Sequence, residues 1–160
     1  MGFWAVATYR AGAWARGIKF PGVRFLLLFL AWAVKQPFRM ILHVELPFGA
    51  RIGPGFAIFH PYNVLIGAHV EIGDECTLYH EVTLGGASGD RSPRLGAHVV
   101  LFPGARVLGG VTIGERSEIG ANCVVSRSVP PYSIVVAALP RTLPQSLVPR
   151  SRPAPSEEPG

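Results

Sequence analysis

The sequence predicts a β fold, a parallel β-helix built from hexapeptide repeats and preceded by a short helical N-terminal arm. Three periodic features carry that prediction. An aliphatic residue recurs every six positions at Leu46, Ile52 and Ile58, then at Ile66, Ile72, Leu78 and Leu84, then at Leu95, Leu101, Val107, Ile113, Ile119 and Val125. Two positions earlier stands a small or β-branched residue in most repeats: Ala50, Val70, Cys76, Val82, Val99, Ala105, Val111, Ser117 and Cys123. Glycine follows the aliphatic directly at Gly53, Gly67, Gly73, Gly85, Gly96, Gly114 and Gly120. A fixed short period of this kind marks a solenoid, because each repeat buries its apolar face only by stacking on its neighbours.

Three hexads make one triangular coil, with the aliphatic and the small residue pointing inward and the glycine expected to permit the corner. Two insertions break the ladder, one around His60-Pro61-Tyr62-Asn63 and a longer one from Gly85 to Arg94. Interruptions of a solenoid are where function is expected. Before the coils, residues 3–42 read as helical segments broken near Gly17, Pro21 and Pro37. After them, Pro130-Pro131 and Pro140 end the pattern, and the tail is expected to be disordered. The resulting division is an arm over 1–44, a solenoid over 45–143 and a tail over 144–160.

Charge separates the arm from the body. The net charge is +5, and residues 1–45 hold Arg10, Arg16, Lys19, Arg24, Lys35 and Arg39 against Glu45 alone. From residue 46 onward nine Arg and nine Asp or Glu cancel. A neutral body disfavours a nucleic-acid partner. The apolar run Phe25 to Val34 is too short by itself to span a bilayer as a helix, and it lacks the layout of a secretory signal. The expected location is therefore cytoplasmic. The run is apolar around its whole circumference, so it must pack against the solenoid, against its copies in an oligomer, or on the inner membrane face. Cys76 and Cys123 match no metal spacing and occupy inward positions, which makes them buried structural thiols. No metal is expected.

Position on the hexad sorts the histidines. His69 and His98 follow a ladder residue by three places on plain repeats and read as exposed strand residues. His60 and His80 each follow one by two, so they should lie one coil apart on the same face, about 5 Å from each other.

The stretch Glu45 to Arg141 resembles the catalytic domain of bacterial serine acetyltransferases. The resemblance rests on His60 after an inserted corner, on Val82-Thr83-Leu84-Gly85-Gly86, on the Gly89-Asp90-Arg91 loop and on Val129-Pro130-Pro131. It implies a left-handed β-helix, acetyl-CoA as co-substrate and His60 as the general base, with Glu45 in the place of the acid that orients it. It also implies an acceptor site near Asp90, Arg91, Ser92, His80 and Phe59, and a CoA groove touching Gly85, Gly86, Gly104, Ala121 and Arg141. A solenoid this narrow has no internal cavity. CoA must then lie in an outer groove, which the resemblance places between subunits of a homotrimer.

The pattern departs from the family at two acceptor positions. Where those enzymes carry an Asp before the base histidine this chain has Phe59, and where they carry a second histidine after the loop it has Ser92. An aromatic cannot pair with an ammonium as a carboxylate does. The expectation is therefore an acetyl-CoA-dependent O-acetyltransferase acting on a sugar hydroxyl of an exopolysaccharide or lipid-linked glycan. L-Serine of cysteine biosynthesis is the alternative acceptor, and a noncatalytic β-helix scaffold is the second alternative. The tail ending Glu157-Glu158-Pro159-Gly160 lacks the terminal Ile through which family members dock into cysteine synthase, so that partner is not expected.

Overall fold

The computed structural model describes residues 2–86 and 92–138. It opens with two helices, α1 (Gly2–Ala15) and α2 (Pro21–Leu42), and continues as a parallel solenoid of short strands. Three sheets form its walls. The first holds β1 (Arg51–Ile52), β4 (Glu71–Ile72), β7 (Arg94–Leu95) and β10 (Thr112–Ile113). The second holds β2 (Ala57–Ile58), β5 (Thr77–Leu78), β8 (Val100–Leu101), β11 (Glu118–Ile119) and β13 (Ile134–Val135). The third holds β3 (Leu65–Ile66), β6 (Thr83–Gly85), β9 (Arg106–Leu108) and β12 (Val124–Val125).

The hexad period sets the register. Leu65 pairs with Thr83, one coil of three hexads on, and Arg94 with Thr112 likewise. Arg51 pairs with Glu71 because that coil also contains the corner insertion near His60. The first insertion is therefore absorbed at a corner, and Glu71 still pairs with Arg94 across the second, so the walls stay in step. Every ladder aliphatic from Leu46 to Val125 is at most 7% exposed, and the small inward residues are equally buried. Apolar burial of this kind supplies most of the driving force. Ser117 is the buried hydroxyl in the series: it donates to the Pro130 carbonyl at 2.9 Å and accepts from the Ser133 N–H at 3.2 Å.

The glycines act differently from the expectation. Those that follow the ladder aliphatics do not supply the left-handed corner conformation, which falls instead to residues such as Glu75, His98, Arg116 and Tyr132 at φ between 54° and 57°. The glycine column is needed because the coils nearly touch there. A Cβ on Gly73 would come within 2.6 Å of the Gly96 backbone carbon, and one on Gly114 within 2.2 Å of the Pro131 nitrogen. His69 and His98 are exposed, but they sit in these corner turns rather than in strands. The repeat also outlasts Pro130-Pro131: Val129 bridges Ile113, and β13 adds another strand beside β11.

α1 is fixed onto the first coil. Its Tyr9 hydroxyl donates to the Ala50 carbonyl at 2.6 Å, and Arg10 donates to the carbonyls of Ile52 and Gly53. Gly12 lies so close to the Phe48 ring that a Cβ would overlap it. α2 starts with Pro21 in its first turn, where the missing N–H costs nothing, and ends on His43 in the left-handed conformation. It runs on through Pro37, which the sequence reading took as a break. The apolar run thus belongs to a 22-residue helix long and apolar enough to cross a bilayer, and none of that apolar window is buried.

Candidate active site

The second and third sheets meet at one edge of the prism, and the turns along that edge stack coil on coil. Backbone hydrogen bonds hold the stack: Glu81 donates to the Tyr62 carbonyl at 2.9 Å, Gly104 to the His80 carbonyl at 3.1 Å, and Asn122 to the Pro103 carbonyl at 2.9 Å. His60, His80, Gly104 and Ala121 therefore share this edge. His60 is held at φ 51°, a conformation that costs a non-glycine residue on the order of 1 kcal/mol or more.

His60 is exposed and His80 half-buried on the next coil. Their ring centroids lie 6.3 Å apart and nearly perpendicular, at 79°. The Nδ1 of His80 is buried with no hydrogen-bond partner among the described residues. Buried polar atoms are nearly always satisfied, so this one marks a place where a ligand or water completes the network. Phe59, one residue before His60, stacks on Tyr79 at 5.7 Å and 26°, and Tyr79 stacks on Phe102 at 5.6 Å and 13°. An aromatic column thus runs beside the histidine column. Tyr79 and Phe102 were missed in the sequence, although each follows its ladder residue by one place just as Phe59 does.

Beyond the edge lies the outer face of the third sheet. Glu45 bridges Leu65, which is in register with Thr83, Arg106 and Val124 on successive coils. Leu65 and Val124, at the two ends of this row, are 44% and 62% exposed, with Thr83 and the exposed Arg106 between them. A cleft of about 420 Å³ opens between this face and α2, bounded by Glu45, Leu65 and Gly67 on one side and Trp32, Gln36 and Arg39 on the other.

Glu45 heads the same face that His60 borders, but within one chain its carboxylate pairs with Arg39 at 3.2 Å. Arg39 was not singled out in the sequence, since nothing in its spacing relates it to Glu45. With side chains 58% and 40% exposed, the pair contributes little, on the order of 0–1 kcal/mol. The Gly104 N–H is committed to the His80 carbonyl, which removes it as a donor to a developing oxyanion. Ser92 is half-exposed ahead of the buried Pro93. Asp90, Arg91 and Arg141 lie outside the described residues. Both cysteines are buried, and burial pushes the Cys76 thiol above its ordinary pKa, the opposite of what a nucleophile needs.

A family model described as bacterial transferase hexapeptide (six repeats) matches residues 92–127. A serine acetyltransferase of Helicobacter pylori strain J99 is 40% identical over 146 residues, which cover 81% of this chain and 85% of the relative. The chain belongs to the serine acetyltransferase family. Among solved structures of that family, the Neisseria gonorrhoeae enzyme in complex with serine superposes with a TM-score of 0.71 at 30% identity. The match covers 86% of this chain and 54% of that one. A serine acetyltransferase complex with CoA superposes with a TM-score of 0.66 at 27% identity over 81% of this chain and 52% of that one. The chain thus spans most of the Helicobacter relative but about half of each of these solved chains. Family membership makes the solenoid a left-handed hexapeptide β-helix and the protein an O-acetyltransferase using acetyl-CoA.

Proposed function

We propose that the protein transfers the acetyl group of acetyl-CoA to the side-chain hydroxyl of L-serine, with His60 as the general base. The observation that carries this reading is the exposed His60, bent out of the edge beside the unpartnered His80, in a chain 40% identical to a serine acetyltransferase over most of that relative's length. His60 takes the hydroxyl proton as the oxygen attacks the thioester carbonyl. The tetrahedral intermediate then collapses, the C–S bond breaks, and the leaving thiolate recovers the proton from the imidazolium. Glu45 is assigned to steady that imidazolium, which requires it to exchange Arg39 for His60. Asp90, Arg91, Ser92 and His80 are assigned to the acceptor. Gly85, Gly86, Ala121 and Arg141, with Gly104 giving close backbone approach, are assigned to CoA along the third sheet. The active assembly is a homotrimer with these grooves between subunits.

A second reading replaces serine by the hydroxyl of a sugar, and one observation favours it. The Phe59–Tyr79–Phe102 column stands where an acid would meet the serine ammonium, and an aromatic face suits the C–H face of a pyranose better than a compact ammonium. The test is the initial rate of CoA thiol release with L-serine and with simple hexoses as acceptors. The serine reading expects the larger kcat/KM for L-serine, and a further increase in Phe59→Asp, which restores a carboxylate for the amine. A hexose preference above about tenfold, lost in Phe59→Asp, would replace serine by sugar.

A further inference from the structure

The feature that acetyl transfer does not use is the arm. Among its described residues helix α2 buries none, and Val23, Phe25, Leu26, Phe29, Leu30, Trp32 and Val34 are each between 49% and 69% exposed. By helical spacing these side chains cover a broad arc, at whose edge Leu30 and Val34 border, with Leu27 and Ala31, a crevice toward α1 also lined by Ala11 and Ala15. Trp4 and Trp14 on α1 are 60% and 68% exposed as well, so all three tryptophans of the chain stand on the arm and are at least half exposed, Trp32 at the rim of the cleft toward the third sheet. Cations flank this surface. Arg16 and Lys19 are exposed in the turn between the helices, and Arg24 lies 5.9 Å over the Phe25 ring.

We propose that this surface docks in the headgroup layer of an anionic lipid bilayer, with α2 lying in the plane of the membrane. Charge complementarity selects that occupant. An apolar face rimmed by Arg and Lys, with exposed Trp at its border, matches the interfacial region of a bilayer bearing negative headgroups. A second copy of the same arm would bring these cations together. Length alone would permit spanning, but the tethers exclude it. α1 is hydrogen-bonded to the first coil, and the Leu42 carbonyl at the end of α2 accepts the Asn63 N–H at 2.8 Å, so both ends of the helical pair are held on the solenoid side.

The whole chain should be tested, because α1 contributes Ala5 and Tyr9 to the core and its removal would open the first coil. The probes are vesicles of phosphatidylglycerol mixed with phosphatidylcholine, and vesicles of phosphatidylcholine alone. The protein should float with the anionic vesicles at low salt, and its tryptophan emission, which reports only on the arm, should shift to the blue. Binding should fall at least about tenfold with neutral vesicles or when salt shortens the Debye length to a few ångströms. Two variants with surface substitutions complete the test, the triple Arg16→Glu, Lys19→Glu, Arg24→Glu and the double Phe25→Ser, Phe29→Ser. Each should keep the circular dichroism and thiol-release rate of the parent and lose flotation. The proposal is overturned if the parent stays at the bottom of the gradient without a blue shift. It is equally overturned if flotation is indifferent to lipid charge and salt, or if Phe25→Ser, Phe29→Ser splits the oligomer instead, which would make the surface a contact between copies.

Discussion

At the residue scale the site turns on how single side chains depart from the repeat. His60 occupies the corner that carries the two-residue insertion, where it is exposed and in the left-handed conformation two places after its ladder residue, whereas on plain corners that conformation falls three places after it, as at Glu75 and His98. As the proposed base, it would act only in the chemical step. His60→Ala should therefore lower kcat by at least about 10²-fold while CoA affinity and assembly persist. Stopped-flow or steady-state thiol release with isothermal titration of CoA measures both, and a variant within tenfold of the parent would move the base to His80. Cys76 and Cys123 are a second case in which position decides chemistry. Buried, and with desolvation raising the Cys76 pKa above its ordinary value, they should resist a disulfide reagent near pH 8 in the folded protein. Both should react in denaturant. Rapid modification of the native state would contradict their burial.

Elements show where stability resides. Leu101 lies fully buried in β8, inside the longest of the three walls, so Leu101→Ala should cost about 2–5 kcal/mol of unfolding free energy. The arm is held by fewer and more specific contacts. Tyr9→Phe leaves the Ala50 carbonyl buried without its donor, and the expected cost is about 1–3 kcal/mol. Urea titrations followed by circular dichroism for the coils and by tryptophan emission for the arm separate the two. Tyr9→Phe should shift the tryptophan transition more than the dichroism, whereas Leu101→Ala should move both. Coincident, equal shifts in Tyr9→Phe would show that arm and solenoid unfold as one unit.

For the whole molecule, the question is what one chain leaves incomplete. The third-sheet face, with Leu65 and Val124 exposed and Glu45 drawn to Arg39, is an open strip in the single chain rather than an enclosed site. A neighbouring subunit closing over it would exclude water from the thioester and complete the groove. Light scattering should accordingly give three times the chain mass of 17.2 kDa, or a multiple of that trimer. A fully active monomer would show that one chain builds the whole site. As proposed, membrane docking uses the exposed arc of the arm and assembly the third-sheet face, so loss of vesicle binding should leave this mass unchanged.

The sequence by itself determined the solenoid, because a six-residue period of aliphatics has one physical solution: each must face inward on stacked coils to leave water. It also placed His60 and His80 on one edge, since equal offsets from the ladder fix equal positions on successive coils. What it could not decide is whatever depends on distance between residues unrelated by the period. The aromatic column became visible only when Tyr79 and Phe102 were seen stacked on Phe59, and the Glu45 partner only when α2 was laid across the first coils. The glycine column misled for the same reason, since close approach between coils is a tertiary fact that leaves no separate mark in the chain. The length of α2 and its exposure were likewise settled by packing: Pro37 did not end the helix, and α1, held on the first coil by Tyr9 and Arg10, covers only one side of it.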